Sequence, residues 1–229
     1  MFAAKSPQPV SGKFRALANA RTFSRIEPLE SRIAPASVAV VAPVTEEIVT
    51  TLKDTTNATQ TTGSLRDAIL RADGAGEHVY ILFETSVHGK EVPLKGVINI
   101  DAALGPLPAI TGNVSIEGSG IVINGKGKVQ GLSITSGATN VSINGLTIEN
   151  GTSYSGGDLS IDGGTNISLT DVKLLNGKAS DGAGLYINES GVNVTITGSL
   201  IRGNRATGYA GTTLYGGDGY GNIAYGGGI

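Results

Sequence analysis

Side chains able to do chemistry are sparse in this chain of 229 residues, and their types narrow the possible reactions at once. Without cysteine there is no thiolate nucleophile, thiolate metal site or disulfide, and two histidines, His78 and His88, leave little room for zinc or general-base chemistry. Carboxylates remain. Asp158 and Asp162 flank Ser160 and could converge, with Asp181 in a nearby turn; glycoside hydrolysis needs two such groups about 5–9.5 Å apart across a sugar. Loop and turn roles are the preferred reading of all three, so no catalytic residue is assigned. The run Gly216-Gly-Asp218-Gly-Tyr220-Gly-Asn222 offers hard oxygen ligands, which favours calcium over zinc were any ion bound. It falls short of a full nonapeptide calcium repeat, and no metal site or cofactor is assigned. Tyr209, Tyr215, Tyr220 and Tyr225 crowd the same glycine-rich stretch, where tyrosine would give flat contact area at modest entropic cost. A loop touching a polysaccharide or another surface protein is the binding reading. Gly63-Ser64 is no phosphate loop, because the lysine is missing.

Composition restricts the scaffold as firmly. Apolar residues make up 39% of the chain, below the usual share of about 45–50%, which argues against a large helical core. Glycine contributes 35 residues and proline 8, enough for many turns but short of low-complexity disorder. The net charge of -2 carries no electrostatic footprint of a nucleic-acid binder. That charge is uneven. Residues 1–45 hold six basic and two acidic side chains, a local +4, and the remainder nets -6. The basic opening leads into a short apolar run from Ile33 to Val44, broken by Pro35 and Pro43 and too short to span a membrane. Residues 1–45 therefore read as a largely disordered basic export or sorting segment.

A repeat organises the rest. Asn-Val-Ser-Ile at 113 recurs at 140, as Asn-Ile-Ser-Leu at 166 and as Asn-Val-Thr-Ile at 193, with spacings of 27, 26 and 27. Eight residues after each asparagine stands an apolar residue (Ile121, Ile148, Leu174, Ile201), followed closely by glycine. A third segment, Leu132-Ser-Ile134, Leu159-Ser-Ile161 and Leu185-Tyr-Ile187, keeps the same period, and its next copy, ending in Ile229, arrives 44 residues later. Apolar and polar residues alternate within each segment, the period of a strand buried on one face. Three short strands per unit, separated by Asn or Gly where the chain must turn through positive φ, predict one triangular coil of a parallel β-solenoid. A single coil buries too little to stand alone and must stack, which places equivalent residues over one another about 4.8 Å apart. The column Asn113, Asn140, Asn166 and Asn193 is then an asparagine ladder at a turn, with a structural role.

An open solenoid end needs a cover. Ser64 precedes Leu65-Arg-Asp67-Ala68-Ile69-Leu-Arg-Ala72, whose Leu65, Ala68, Ile69 and Ala72 form one apolar stripe, so a helix over 64–73 is predicted, capped by Ser64 with Asp67 returning the bond. The helix lies between strand candidates Ile48–Leu52 and Val79–Phe83 and would lid the first coil. Residues 46–95 thus form the N-terminal cap and 96–229 the parallel β-helix. No capping segment follows Ile229, so the solenoid is expected to be truncated at that end, with further coils or self-association there.

Thr62-Gly-Ser-Leu-Arg-Asp-Ala-Ile69 is similar to the CSLREA-type N-terminal segment of secreted bacterial β-helix proteins, with Gly63 where that family often has cysteine. Ile98, Leu107-Pro-Ala-Ile110 and Asn113-Val-Ser-Ile-Glu-Gly-Ser-Gly-Ile121 resemble the first coils of that family. Ile201-Arg-Gly-Asn204 followed by Gly226-Gly-Gly-Ile229 resembles the FxxN and GGxI repeats of polymorphic outer-membrane proteins, with Ile for Phe. Ile26-Glu-Pro-Leu-Glu-Ser-Arg32 looks like the LEPLE-x-R type sorting motif of large bacterial surface proteins. The resemblance, over about residues 46–229, implies a pectin-lyase-like, right-handed parallel β-helix. Enzymes of this fold work from a groove on the outer face; the Gly-His-Gly of polygalacturonases and the arginine pattern of pectate lyases are absent. The resulting expectation is a non-catalytic, exported, cell-surface or extracellular, adhesin-like scaffold without a transmembrane helix or nucleic-acid partner. The alternative is the N-terminal part of a polysaccharide lyase or glycoside hydrolase whose catalytic coils lie beyond residue 229.

Overall fold

The computed structural model describes residues 45–188 and 192–207, and within them the chain winds as a parallel β-solenoid of about four turns. Strand β1 (Thr45–Val49) leads through helix α1 (Leu65–Gly74) to β2 (Val79–Val87), β3 (Lys90–Pro93) and β4 (Gly96–Asn99). The next coil carries β5 (Val114–Glu117), β6 (Ile121–Asn124) and β7 (Leu132–Thr135), and the one after it β8 (Ser142–Asn144), β9 (Thr147–Glu149) and β10 (Leu159–Asp162). Then come β11 (Ile167–Thr170), β12 (Lys173–Leu175), β13 (Lys178–Ala179) and β14 (Leu185–Ile187), followed by β15 (Val194–Thr197), β16 (Leu200–Arg202) and β17 (Arg205–Ala206).

These strands stack into three long sheets. The first runs β1-β2-β5-β8-β11-β15, the second β4-β6-β9-β12-β16 and the third β7-β10-β14, with β13 and β17 paired beside them. All of these pairings are parallel; the exception is β3, which folds back antiparallel on β2. Because β2 pairs with β5 from Val79↔Val114 onward, stacking begins upstream of residue 96, inside the segment read from sequence as cap.

Register follows the alternation of the sequence. Ile116, Ile143 and Leu169 lie over one another in the first sheet, and Ile123, Ile148 and Leu174 in the second. All six are essentially buried, each worth about 1.5–3 kcal/mol on removal from water. The corners between sheets turn through left-handed residues in columns. Asn140 and Asn166 have φ of 50° and 53°, Asn150 and Asn176 53° and 57°, and the remaining corner uses Gly145, Asp171 and Gly198 at 66°, 52° and 61°. Asparagine tolerates this region better than other side chains, so a short polar residue or glycine recurs every 26 or 27 positions.

Helix α1 inserts Leu65, Ala68, Ile69 and Ala72 into the same core as Val49, Val79 and Ile81, so the predicted stripe is the face that packs. Among the described residues no helix is long and apolar enough to cross a membrane.

Candidate functional site

Three polar constellations stand on this scaffold: an amide ladder, a set of aspartates near the third sheet, and a buried ion pair at the N-terminal cap. In the ladder, Asn140 Nδ2 donates to Asn113 Oδ1 at 3.3 Å and Asn166 Nδ2 to Asn140 Oδ1 at 3.1 Å. Asn193 joins through its backbone carbonyl, which accepts the Ile167 N–H at 2.8 Å. A second amide pair forms at another corner, where Asn150 Nδ2 donates to Asn124 Oδ1 at 3.3 Å. The side-chain bonds of Asn140, Asn166 and Asn150 each link one coil to the next and engage the amide in holding turns in register, whereas at Asn193 the link is made by the backbone alone.

The three aspartates go to separate places. Asp158 is fully buried, and its Oδ1 accepts the Gly151 N–H at 2.9 Å. Its Oδ2 has no hydrogen-bond partner. The Gly177 N–H, close enough to favour the charged form, is itself committed to Asn204 Oδ1 at 2.7 Å, and Asn204 Nδ2 donates to Leu174 O at 3.0 Å. Burial therefore dominates and pushes the Asp158 carboxyl up to about 8, with the nearby Glu149 charge adding to it and the Gly151 N–H opposing. Asp162 sits in register with Thr135 on the third sheet, and Asp181 is exposed on a segment bridged to Ser155. Ser160, between Asp158 and Asp162, is itself buried: Gly156 lies so close that a Cβ there would come within 2.7 Å of Ser160 Cα. The face on which the two carboxylates would have to meet a sugar is thus roofed at Ser160, with Asp158 sealed from solvent.

At the cap, Ser64 is the N-cap residue and its Oγ accepts the Asp67 N–H at 3.2 Å. Asp67 does not return this bond to Ser64. Its carboxylate accepts instead from Thr62 N–H at 3.0 Å and from the hydroxyls of Thr62 and Thr56, both at 2.6 Å. The reason is positional: the turn through Gly63 at φ 71° brings Thr62 over the first helical turn. Burial opposes the charge on Asp67, but the hydroxyl bonds, the Thr62 N–H and Arg71 outweigh it and hold this carboxyl below its usual range.

Next to it lies a group that the sequence pattern does not reveal. Arg66 and Asp54 form a buried two-pronged ion pair, Nε to Oδ1 and Nη2 to Oδ2, both at 2.8 Å. The guanidinium also donates to the carbonyls of Pro106 at 2.7 Å, Gly105 at 2.9 Å and Leu104 at 3.4 Å, and Asp54 Oδ2 accepts the Asp101 N–H at 2.9 Å. Arg66 thereby ties helix, incoming strand segment and first corner loop together. Nothing periodic marks the pair, since Asp54 lies in a threonine-rich stretch and its partner stands 12 residues away. The four tyrosines Tyr209, Tyr215, Tyr220 and Tyr225, the glycine-rich run 216–222, Ile229 and the sorting motif all lie outside the described residues.

The fold places the chain in the class of parallel β-solenoids. No protein-family model, no curated protein and no solved structure matches the chain.

Proposed function

We propose that this chain is a non-catalytic, exported β-helix that serves at the cell surface or outside the cell as a rigid, adhesin-like scaffold. In this reading residues 1–45 address it outward, and the body belongs with the right-handed, pectin-lyase-like helices that its CSLREA-like segment and outer-membrane-type repeats resemble. The observation that carries the reading is the make-up of the outward columns. Ser115, Ser142, Ser168 and Thr195 line up on the first sheet, Thr147 and Lys173 and then Glu149, Leu175 and Arg202 on the second, and Ser133, Ser160 and Tyr186 on the third. None of these columns stacks two carboxylates, and Asp158, the acid nearest to such a pair, is sealed inside. A stack of coils whose strand columns are chemically plain, and covered at Ser115 and Ser160, suits a spacer that holds something else at a distance.

The test has two arms. Residues 1–45 fused to a reporter are expected to carry it out of the cytoplasm, and a reporter retained wholly inside counts against export. The purified chain incubated with pectin, alginate or chondroitin is expected to release no new reducing ends and no unsaturated products; release abolished by Asp162→Ala would make it an enzyme.

A further inference from the structure

The outward side of the first sheet carries a pattern that the other two lack. Over β8, β11 and β15 pairing holds Ser142, Ser168 and Thr195 in one column and Asn144, Thr170 and Thr197 in the next. All six side chains are short, polar and uncharged, in a chain with 17 basic and 19 acidic residues. At the same height the second sheet shows Glu149, Lys173 and Arg202, and the third Asp162 and Tyr186. Charge returns at the borders of the grid. Glu117, one coil earlier, accepts from Asn144 Nδ2 at 2.8 Å, and Asp171 occupies the corner after Thr170.

The hydroxyls of Ser142, Ser168, Thr170, Thr195 and Thr197 make no hydrogen bond to another described group, so each keeps one donor and two acceptor sites for solvent. Their backbones are fixed. Ser168 N–H donates to Val141 O at 2.8 Å, and the carbonyls of Thr170 and Thr197 accept the N–H groups of Gly145 and Asp171, both at 2.9 Å. Beneath them Ile143 and Leu169 are buried in the core. Short side chains on such roots have little freedom left to lose on binding, which lowers the ordering cost. Neighbouring strands lie about 4.8 Å apart and alternate residues of one strand about 6.6 Å apart, so the polar tips recur regularly in two directions.

We propose that this face binds ice. A surface that repeats in two directions is matched over its whole area only by a partner that repeats likewise, and hexagonal ice presents planes of oxygens at comparable intervals. A hydroxyl that both donates and accepts takes the place of a water molecule at the boundary of such a lattice. Other partners find no grip on these six positions. A polyanion meets no cation, a crystalline glycan meets no aromatic ring to stack on, and a protein meets neither an aromatic anchor nor an arginine. The inference deepens the scaffold reading, because ice is met outside the cell, and an assay on purified protein reads the face whether or not residues 1–45 direct export.

Slow growth of ice from a dilute solution of the purified full chain tests this. The chain is expected to enrich in the ice while serum albumin stays in the liquid, and to keep fine ice crystals from coarsening in frozen sucrose. Ser168→Lys/Thr170→Lys plants two like charges in the grid and should raise the concentration needed to stop coarsening by roughly tenfold. Thr195→Lys/Thr197→Lys, at exposed positions of the next coil, gives a second reading where the first variant folds poorly. Lys173→Gln, on the second sheet, should match the parent. A circular dichroism spectrum and melting temperature shared by variant and parent keep the comparison independent of folding. Exclusion of the chain from ice, undiminished activity in the lysine variants, loss of activity in Lys173→Gln, or a larger fraction bound to microcrystalline chitin or cellulose than taken up by ice would each overturn the proposal.

Discussion

Two buried polar sites at different heights of the solenoid satisfy their charges very differently. At the cap, Arg66 donates to five acceptor atoms, and Asp54 accepts two of those bonds and a third from the Asp101 N–H, so the charges are compensated on all sides. Two coils further on, Asp158 has one backbone donor for one oxygen and nothing for the other. At the first site both charges are matched where they stand. The second carries a proton that the fold itself imposes, and its stability contribution must vary with pH. Burial alone therefore does not decide what a charged side chain does in this interior; the number of donors and acceptors that the corner loops bring to it does.

Breaking the first site should have the largest effect. Arg66→Met leaves Asp54 buried without its counter-charge and strips the partner from three carbonyls, and is expected to cost about 3–5 kcal/mol in urea unfolding. Adding Asp54→Leu to it should recover part of the loss, since an apolar pair no longer strands a charge. A loss within about 0.5 kcal/mol for Arg66→Met alone would mean that the clamp contributes nothing beyond its surroundings.

The second site should respond in the opposite direction. In the unfolded chain the Asp158 carboxyl ionises near 3.8 and in the folded chain at about 8. Between these values the native state holds a proton that the unfolded state has released, so the contribution of Asp158 is fully favourable below about pH 4 and declines as pH rises toward 8, by on the order of a few kcal/mol. Asp158→Asn keeps an oxygen for the Gly151 N–H and cannot ionise. Its melting temperature should exceed that of the parent at pH 8, with the gap closing toward pH 4. A gap that stays constant with pH would show that Asp158 does not titrate in this window.

A smaller change sharpens the contrast by supplying Asp158 with the donor it lacks. Asn204→Ala frees the Gly177 N–H, which lies close enough to Asp158 to favour its charged form, at a net cost of about 1–2 kcal/mol for the bonds lost at Gly177 and Leu174. The carboxyl should then ionise at lower pH, and the stability difference between pH 4 and pH 8 should shrink relative to the parent. Nuclear magnetic resonance titration of the Asp158 carboxyl carbon reads this directly, and an unchanged midpoint would disprove the competition between Asn204 and Asp158 for Gly177.

The sequence by itself determined what depends on a repeating local pattern. Alternation over three or four residues decides which side chains point inward, and a period of 26 or 27 forces equivalent residues into one column, so the registers through Ile143, Ile148 and Ile161 follow from spacing alone. The left-handed turns at Asn140 and Asn166, and the apolar stripe of α1, are likewise properties of neighbouring residues. Tertiary structure alone decided where the polar exceptions go. Arg66 draws its acceptors from residues 12 to 40 positions away, and no spacing in the chain announces that Asp54 and the Pro106 carbonyl will face it. Asp67 bonds Thr62 rather than Ser64 because a glycine turn lays the preceding segment over the helix. Asp158 turns from a candidate acid on an outer face into a sealed carboxyl because it occupies a corner, where the alternation of a strand no longer tells in from out. The physical reason is common to all three. Apolar burial repeats with the backbone and averages over many residues, whereas the fate of a charge depends on a few donors and acceptors that only the folded loops bring within about 3 Å.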